Sequence, residues 1–336
     1  MTLERSGRIA ALAGLLAVLA GCSGGGGGNN TGTLTLGLTD GPVEGAKNVV
    51  VAFKGIELKP KGGAPMDVIP MDAQSCDNFN AATGTCSIDL LELVGTQRRV
   101  VFSRNLPAGE YEWVRLLVDA QQNVMDSYIN TLDDKQCSLW IPSGSETGLK
   151  IVSGITVTAN GVSDYTLDFD VRKSITNPPG QSSTDPALLC ADNYVMKPAV
   201  RIVDSTEVGA IAGTVADGVL SGDASCMLDN LGHYQNVAAY VFEDAPDYVA
   251  DDLDGDAGDP ITSASVVWDD MQQIYSYEVG YLLAPATYHV ALTCTADVDE
   301  ATVDDYDPSS QSAQPFGFVA EQAVDVTVGT TADGSF

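Results

Sequence analysis

The chain has 336 residues, 44% of them hydrophobic, and carries 46 Asp and Glu against 16 Lys and Arg, a formal net charge of −30 at pH 7. That balance excludes nucleic acid and anionic lipid surfaces as partners, because binding either needs a basic stripe that these Lys and Arg do not form. The acidity itself reads as solubility in a salty or crowded exterior.

The N-terminus is an export signal. Arg5 and Arg8 form a basic n-region, and Ile9 to Ala20 an apolar h-region shorter than the roughly 20 apolar residues a transmembrane helix needs. It ends in Leu19-Ala20-Gly21-Cys22, which resembles a bacterial lipobox. The resemblance implies a signal peptide over residues 1–21, a diacylglycerol thioether on Cys22, cleavage before it and acylation of the new amine with a fatty acid such as palmitate. Several acyl chains anchor a protein stably where one does not. Residues 22–31 are then a tether, since the glycine-rich run Ser23 to Asn30 behaves as a flexible coil. Ser23 in place of Asp, by resemblance to enterobacterial lipoproteins, implies the outer membrane, with the periplasmic or surface face left open. The membrane is thus a partner through the lipid anchor alone.

About 300 residues follow, which favours two domains, placed at 32–205 and 206–336. Seven cysteines become six once Cys22 is lipidated, and an even number in an oxidising compartment reads as three disulfides. Of fifteen possible pairings, sequence position favours Cys76 with Cys86, Cys137 with Cys190, and Cys226 with Cys294. There is no Cys-x-x-Cys, and His233 and His289 are the only histidines, so neither a thioredoxin-like site nor a Cys/His zinc site is indicated.

Periodicity is β almost throughout. Leu34, Leu36 and Leu38 alternate with Thr35 and Gly37, and Thr39-Asp40-Gly41-Pro42 is expected to turn. Asn48 to Leu58 reads as a strand ending at the turn Lys59 to Gly63, and Ile88 to Leu93 as the one short helical segment. Further strands are expected over Arg99 to Ser103, Tyr111 to Asp119, Ser138 to Ile141, Ile155 to Thr158, Tyr165 to Asp170 and Lys197 to Val203. Many short strands separated by turn signals predict an all-β chain of two β-sandwiches, Ig-like or transthyretin-like.

Several motifs in order resemble the bacterial DUF4382 family: Gly32 to Pro42, Gly55-Ile56-Glu57-Leu58-Lys59-Pro60, Ile88-Asp89-Leu90-Leu91, Leu106 to Tyr111 with Arg115 to Ala120, Ile141 to Lys150, Asp168 to Ser174, and Lys197-Pro198-Ala199-Val200-Arg201. The resemblance spans about Thr31 to Asp204 and implies a lipoprotein of unknown role with no catalytic residues to transfer. In the second half, Gly209 to Asp217 resembles the opening strand of carboxypeptidase-regulatory or transthyretin-like modules. Leu283 to Val290 parallels Leu106 to Trp113, a turn followed by a strand opening on tyrosine. Such a tyrosine is expected to anchor the packing while its hydroxyl finds a backbone partner.

Chemistry concentrates in one acidic run. Asp252, Asp254, Asp256 and Asp259, with Gly255 and Gly258 permitting a tight loop, offer hard oxygen ligands suited to Ca2+. Ala257 and Ser263 stand where an EF-hand needs glycine and a bidentate glutamate, so any calcium loop here is atypical and the alternative is a solvated acidic insertion. Asp304, Asp305 and Asp307 form a second acidic patch. After the glycine-rich tether there is no Gly-x-Ser-x-Gly, and nowhere a His-Glu-x-x-His or Walker loop. The expected function is a lipid-anchored, non-catalytic cell-envelope module that binds a glycan or another envelope protein, through loops or an aromatic strip at Trp140 or Trp268. The alternatives are a structural stalk or assembly component and, last, a hydrolase.

Overall fold

The computed structural model describes residues 30–336 apart from 42–45, 75, 77, 143, 177–189, 191–193, 257, 302, 308 and 311–313. The lipobox, Cys22 and most of the glycine tether lie outside the described residues.

The opening strand, Thr31–Gly41, buries Leu34, Leu36 and Leu38 on one face, each contributing about 2 kcal/mol. The other face pairs Thr33 with Asn105 and Thr35 with Ser103. This strand lies inside a four-stranded sheet, parallel to Val162–Asp170 and antiparallel to Arg99–Pro107, with Ala199–Asp204 on the outer side of Val162–Asp170. The facing sheet is built on the long strand Ala46–Pro60, which pairs with Gly109–Asp119, Thr85–Asp89 and Tyr128–Thr131. Val49, Val51, Phe53, Leu116 and Phe169 fill the space between. The expected turn at Thr39 to Gly41 is instead extended and buried. Its polar groups are satisfied across the fold: Thr39 Oγ1 donates to Leu93 O (2.9 Å) and Gln97 O (2.8 Å), and Asp40 Oδ1 accepts from Val171 N (3.3 Å). Ile88 to Leu93 divides into the end of a strand and a 3-10 turn, Leu90–Glu92, whose Leu91 amide is capped by Asp89.

From Val208 onward the strands form two four-stranded sheets. One runs Val267–Asp269, Ile274–Leu283, Val208–Val215, Thr331–Asp333; the other runs Thr262–Ser265, Ala238–Glu243, Ala286–Thr293, Phe318–Val326. Their shared core includes Ile211, Ala239, Val241, Val279 and Val290. Both halves carry the expected tyrosine corner: Tyr111 donates to Pro107 O (2.8 Å) and Tyr288 to Leu283 O (2.7 Å), each ring buried. The fold is all-β, built of sandwiches.

Three disulfides join Cys76 to Cys86, Cys137 to Cys190 and Cys226 to Cys294, with Cα separations of 5.7, 4.9 and 4.9 Å. Among the described residues, no helix is long and apolar enough to cross a membrane.

The two sandwiches meet at a packed joint. Right after the strand Val162–Asp170, Asp170 caps the helical turn Val171–Ser174, which carries Arg172 and Lys173 into the second sandwich. Arg172 is buried; its Nε donates to Ser263 Oγ (3.0 Å), its Nη1 to Ala296 O (3.2 Å), and its guanidinium lies 5.3 Å over the Tyr240 ring. Lys173 pairs with Asp259. On the other side of the joint Thr96 Oγ1 donates to Glu278 Oε1 (3.0 Å) and Tyr281 OH to Thr96 O (3.2 Å). The backbones approach so closely there that a Cβ on Gly280 would stand 2.4 Å from Gly95 O.

Candidate functional site

Two long connections cover the second sandwich, residues 244–261 and 294–317, with no strand or helix among their described residues, and loops of such length are uncommon in compact domains. In the strand Ala238–Glu243, Ala239 and Val241 face the main core, so Ala238, Tyr240 and Phe242 face the other way. There they meet Ala250, Ala296 and Phe316 from the two connections in a second, smaller core. Tyr240 stacks on Phe316 at 5.7 Å, and Phe316 meets Phe318 edge-on at 5.1 Å. This outer core fixes the loops that hold the acids.

Asp252 is 1% exposed. Its Oδ2 accepts from Asp305 N (2.6 Å), whereas its Oδ1 is buried with no hydrogen-bond partner among the described residues. Asp299 holds the opposite loop: its Oδ1 accepts from Leu253 N (3.1 Å) and its Oδ2 from the Tyr240 hydroxyl. Carboxylate oxygens of Asp252, Asp299 and Asp305 come within 4.8 Å of one another, and so do those of Asp252, Asp254 and Asp304. Asp254, Asp256 and Asp259 form a further group. The four aspartates expected around one centre are therefore divided. Asp252 turns toward the 299–305 loop, while Asp259 accepts from Asp254 N and Gly255 N (3.1 Å each) and pairs with Lys173. Asp304 and Asp305 approach Asp252, but Asp307 caps its own turn at Ser309 N (2.8 Å). Asp299 was invisible to motif reading, because no spacing rule links it to Asp252.

Burial pushes Asp251 up to about 7, assisted by the charges of Asp252, Asp256 and Asp254, and pushes Asp299 up to about 6 against the Tyr240 hydroxyl and the Leu253 amide. Asp252 and Asp254 are raised as well, burial again being the main cause. The legible signal is one of charge: residues 206–336 hold 24 of the 46 acids and none of the 16 Lys and Arg, the last of which is Arg201.

A different surface lies on the loop 226–235 and the hairpin after Val267–Asp269. His233 stacks on Trp268 at 5.0 Å, and Trp268 packs on Tyr275 at 4.8 Å and donates its indole N–H to Asp270 Oδ1 (3.0 Å). On the same loop and hairpin Leu231 is 81% exposed, Met271 93% and Met227 63%, with Leu228 and Val267 also exposed. Trp140 is half-buried in the first sandwich, on the strand Gln136–Trp140, so the two tryptophans form no common strip. His289 stacks on Tyr248 at 3.9 Å and faces Asp244 (3.0 Å) and Glu321 (3.5 Å). A groove of about 550 Å³ runs between the sandwiches past Gly95, Tyr277 and Glu278, where Glu278 is already engaged by Thr96.

Residues 31–188 match the model of DUF4382, a domain of unknown function. The match ends before Ala199–Asp204, the strand that completes the sheet opened by Thr31–Gly41. No curated protein sequence matches the chain. Among solved structures, similarity is found to the minor pilin of Streptococcus agalactiae, 11% identical over 90% of this chain and 94% of that one, with a TM-score of 0.17. The pilus adhesin of Lactobacillus rhamnosus is 8% identical over 91% of this chain and 42% of that one, with a TM-score of 0.15. The major pilin of Streptococcus pyogenes is 11% identical over 91% and 99%, with a TM-score of 0.14. Scores this low do not amount to a shared fold over the whole chain.

Proposed function

We propose that the chain is a lipid-anchored, non-catalytic protein of the bacterial cell envelope whose second sandwich binds another envelope protein. The observation that carries this reading is the exposed apolar surface of Leu231, Met271, Met227 and Leu228 around the His233–Trp268 stack. Several large apolar side chains left exposed on two segments joined by a ring stack mark a surface that something covers. The lipobox at Leu19 to Cys22 and the glycine run after it support attachment at the N-terminus. Aliphatic side chains and methionines suit a protein surface better than a glycan, which needs an open aromatic face, whereas Trp268 is packed between His233 and Tyr275. The non-catalytic part of the reading is supported by the charged groups of the joint, Asp168 with Arg201 and Lys173 with Asp259, which are paired with one another.

A stalk role has one observation in its favour, the Arg172 joint, which holds the two sandwiches in a fixed relation. Affinity capture from envelopes with the lipid retained separates the readings. The double variant Leu231→Asp, Met271→Asp is expected to lose a protein partner that the natural chain captures, with an unchanged melting temperature. Capture of the same partner by both chains would remove the apolar face from the argument, and capture of glycan alone would replace the partner class. Cys22→Ser is expected to move the protein out of the membrane fraction; continued tight association would contradict the anchor.

A further inference from the structure

We infer that the 244–261 and 294–317 connections together form a Ca2+ site centred on Asp252, with Asp299 and Asp305 on one side and Asp254 and Asp304 on the other. The site differs from a single-loop calcium motif, since its ligands come from two segments about fifty residues apart, held together by the outer aromatic core and by the Asp305 N–Asp252 and Leu253 N–Asp299 hydrogen bonds.

Two independent observations point to a ligand. The first is Asp252 itself, a carboxylate 1% exposed whose Oδ1 is buried and reaches no donor, while oxygens of four other aspartates gather within 4.8 Å in two groups that share it. A buried carboxyl oxygen without a partner is costly, and a cation would satisfy it here. The second is the charge inventory. No Lys or Arg follows Arg201, and of the two that the first sandwich lends, Lys173 pairs with Asp259, while Arg172 bonds Ser263 and Ala296, lies over the Tyr240 ring and acts by its charge on Asp299. Among the described residues Asp252, Asp254, Asp304 and Asp305 take part in no ion pair with Lys or Arg.

The donor set selects the metal. It consists of carboxylate oxygens with no imidazole or thiolate, which disfavours zinc and copper. Five carboxylates on two irregular loops suit the six to eight oxygens and loose geometry of calcium better than the strict octahedron of magnesium. The ion would lock the two connections together and, through Asp299 and the Tyr240 hydroxyl, stiffen the floor on which Arg172 rests.

The test is calorimetric titration of the chelator-treated full chain with CaCl2, and with MgCl2 in parallel, together with thermal melts over the same concentrations. One calcium per chain is expected, with a melting temperature that climbs with calcium and at least tenfold weaker magnesium binding. Asp252→Asn should weaken calcium at least tenfold. Asp304→Asn, at the exposed rim, should weaken it several-fold while leaving the calcium-free melt unchanged, and it decides the matter if Asp252→Asn fails to fold. Asp256→Asn, outside both groups, should stay within twofold. The site is refuted by no heat and no melting shift at millimolar calcium, by Asp304→Asn binding as tightly as the natural chain, or by Asp256→Asn abolishing binding. Calcium binding and partner capture by the apolar face can each fail without the other.

Discussion

Residues 1–205 and 206–336 hold nearly the same number of acids, 22 and 24, yet the first segment has all 16 Lys and Arg and the second has none. In the first sandwich acids are met by side-chain cations: Asp119 by Lys54 (2.9 Å), Glu57 by Arg115 (2.6 Å), Asp168 by Arg201 (2.6 Å) and Asp164 by Arg98. In the second they are met by backbone amides. Asp223, Asp229, Asp269, Asp307 and Asp333 each accept the N–H two residues on, at Ser225, Leu231, Met271, Ser309 and Ser335, at 2.8 to 3.0 Å. Those five carboxyls are held below the usual range by local hydrogen bonds, chiefly from the Ser225, His233 and Gln272 amides for Asp223, Asp229 and Asp269 and from the Ser309 and Ser335 hydroxyls for Asp307 and Asp333. An amide stabilises one carboxylate in one turn and cannot satisfy several that converge. Around Asp252 amides satisfy one oxygen each of Asp252, Asp254, Asp299 and Asp305, but they leave the buried Asp252 Oδ1 without a donor, which is why that cluster points to an external cation.

The largest expected effects test how far each half relies on cross-links. The Cys226–Cys294 bond closes 68 residues, and removing it by Cys226→Ser with Cys294→Ser should cost about 4 kcal/mol, against about 3 kcal/mol for the ten-residue Cys76–Cys86 loop. Denaturant melts of the two double variants measure the order, and the reverse order would show that the second sandwich is held chiefly by its cores. Next is the joint. Arg172→Ala strips donors from Ser263 Oγ and Ala296 O and uncovers Tyr240, a loss of about 3 kcal/mol. Differential scanning calorimetry should then resolve two transitions in place of a coupled one. A single transition at the natural temperature would mean that Thr96, Glu278 and the Gly95–Gly280 contact suffice to couple the halves.

Much of this was legible where the physics is local. The alternation of Leu34, Leu36 and Leu38 placed a buried strand face, and the parallel between Leu106–Tyr111 and Leu283–Tyr288 marked two corners whose hydroxyls do bond upstream carbonyls. Cysteine order within each half agreed with the three bonds formed. Reading failed where a contact spans the chain. Thr39-Asp40-Gly41 has turn composition and is extended because Leu93, Gln97 and Val171 supply its partners from 54 to 131 residues away. Asp299 and Arg172 gain their roles from loops closing over Tyr240, which no periodicity encodes. The missing Lys and Arg after Arg201 were open to view, and counting charge by half would have singled out the second sandwich.

The smallest effect concerns the first sandwich's own exception. Asp40, Asp168 and Asp170 are all buried beside one another, and each is pushed above the usual carboxylate range by burial; for Asp40 the charges of Asp168 and Asp170 add, and for Asp168 the Arg201 guanidinium opposes. Asp170 is pushed up to about 6, burial outweighing the Lys173 amide and the Arg172 and Lys173 charges. A raised carboxyl binds its proton more firmly folded than unfolded, so the stability it contributes is present below about pH 4 and lost as pH rises through about 6. Asp170→Asn keeps the acceptor that caps Lys173 N and discards the charge. It should therefore match the natural chain near pH 4 and exceed it above pH 6, by on the order of 2–3 kcal/mol. Denaturant melts from pH 4 to 8 measure the difference. A gap that stays constant across that range would show that Arg172 and Lys173 compensate Asp170 fully, and that the first sandwich leaves no acid unmatched.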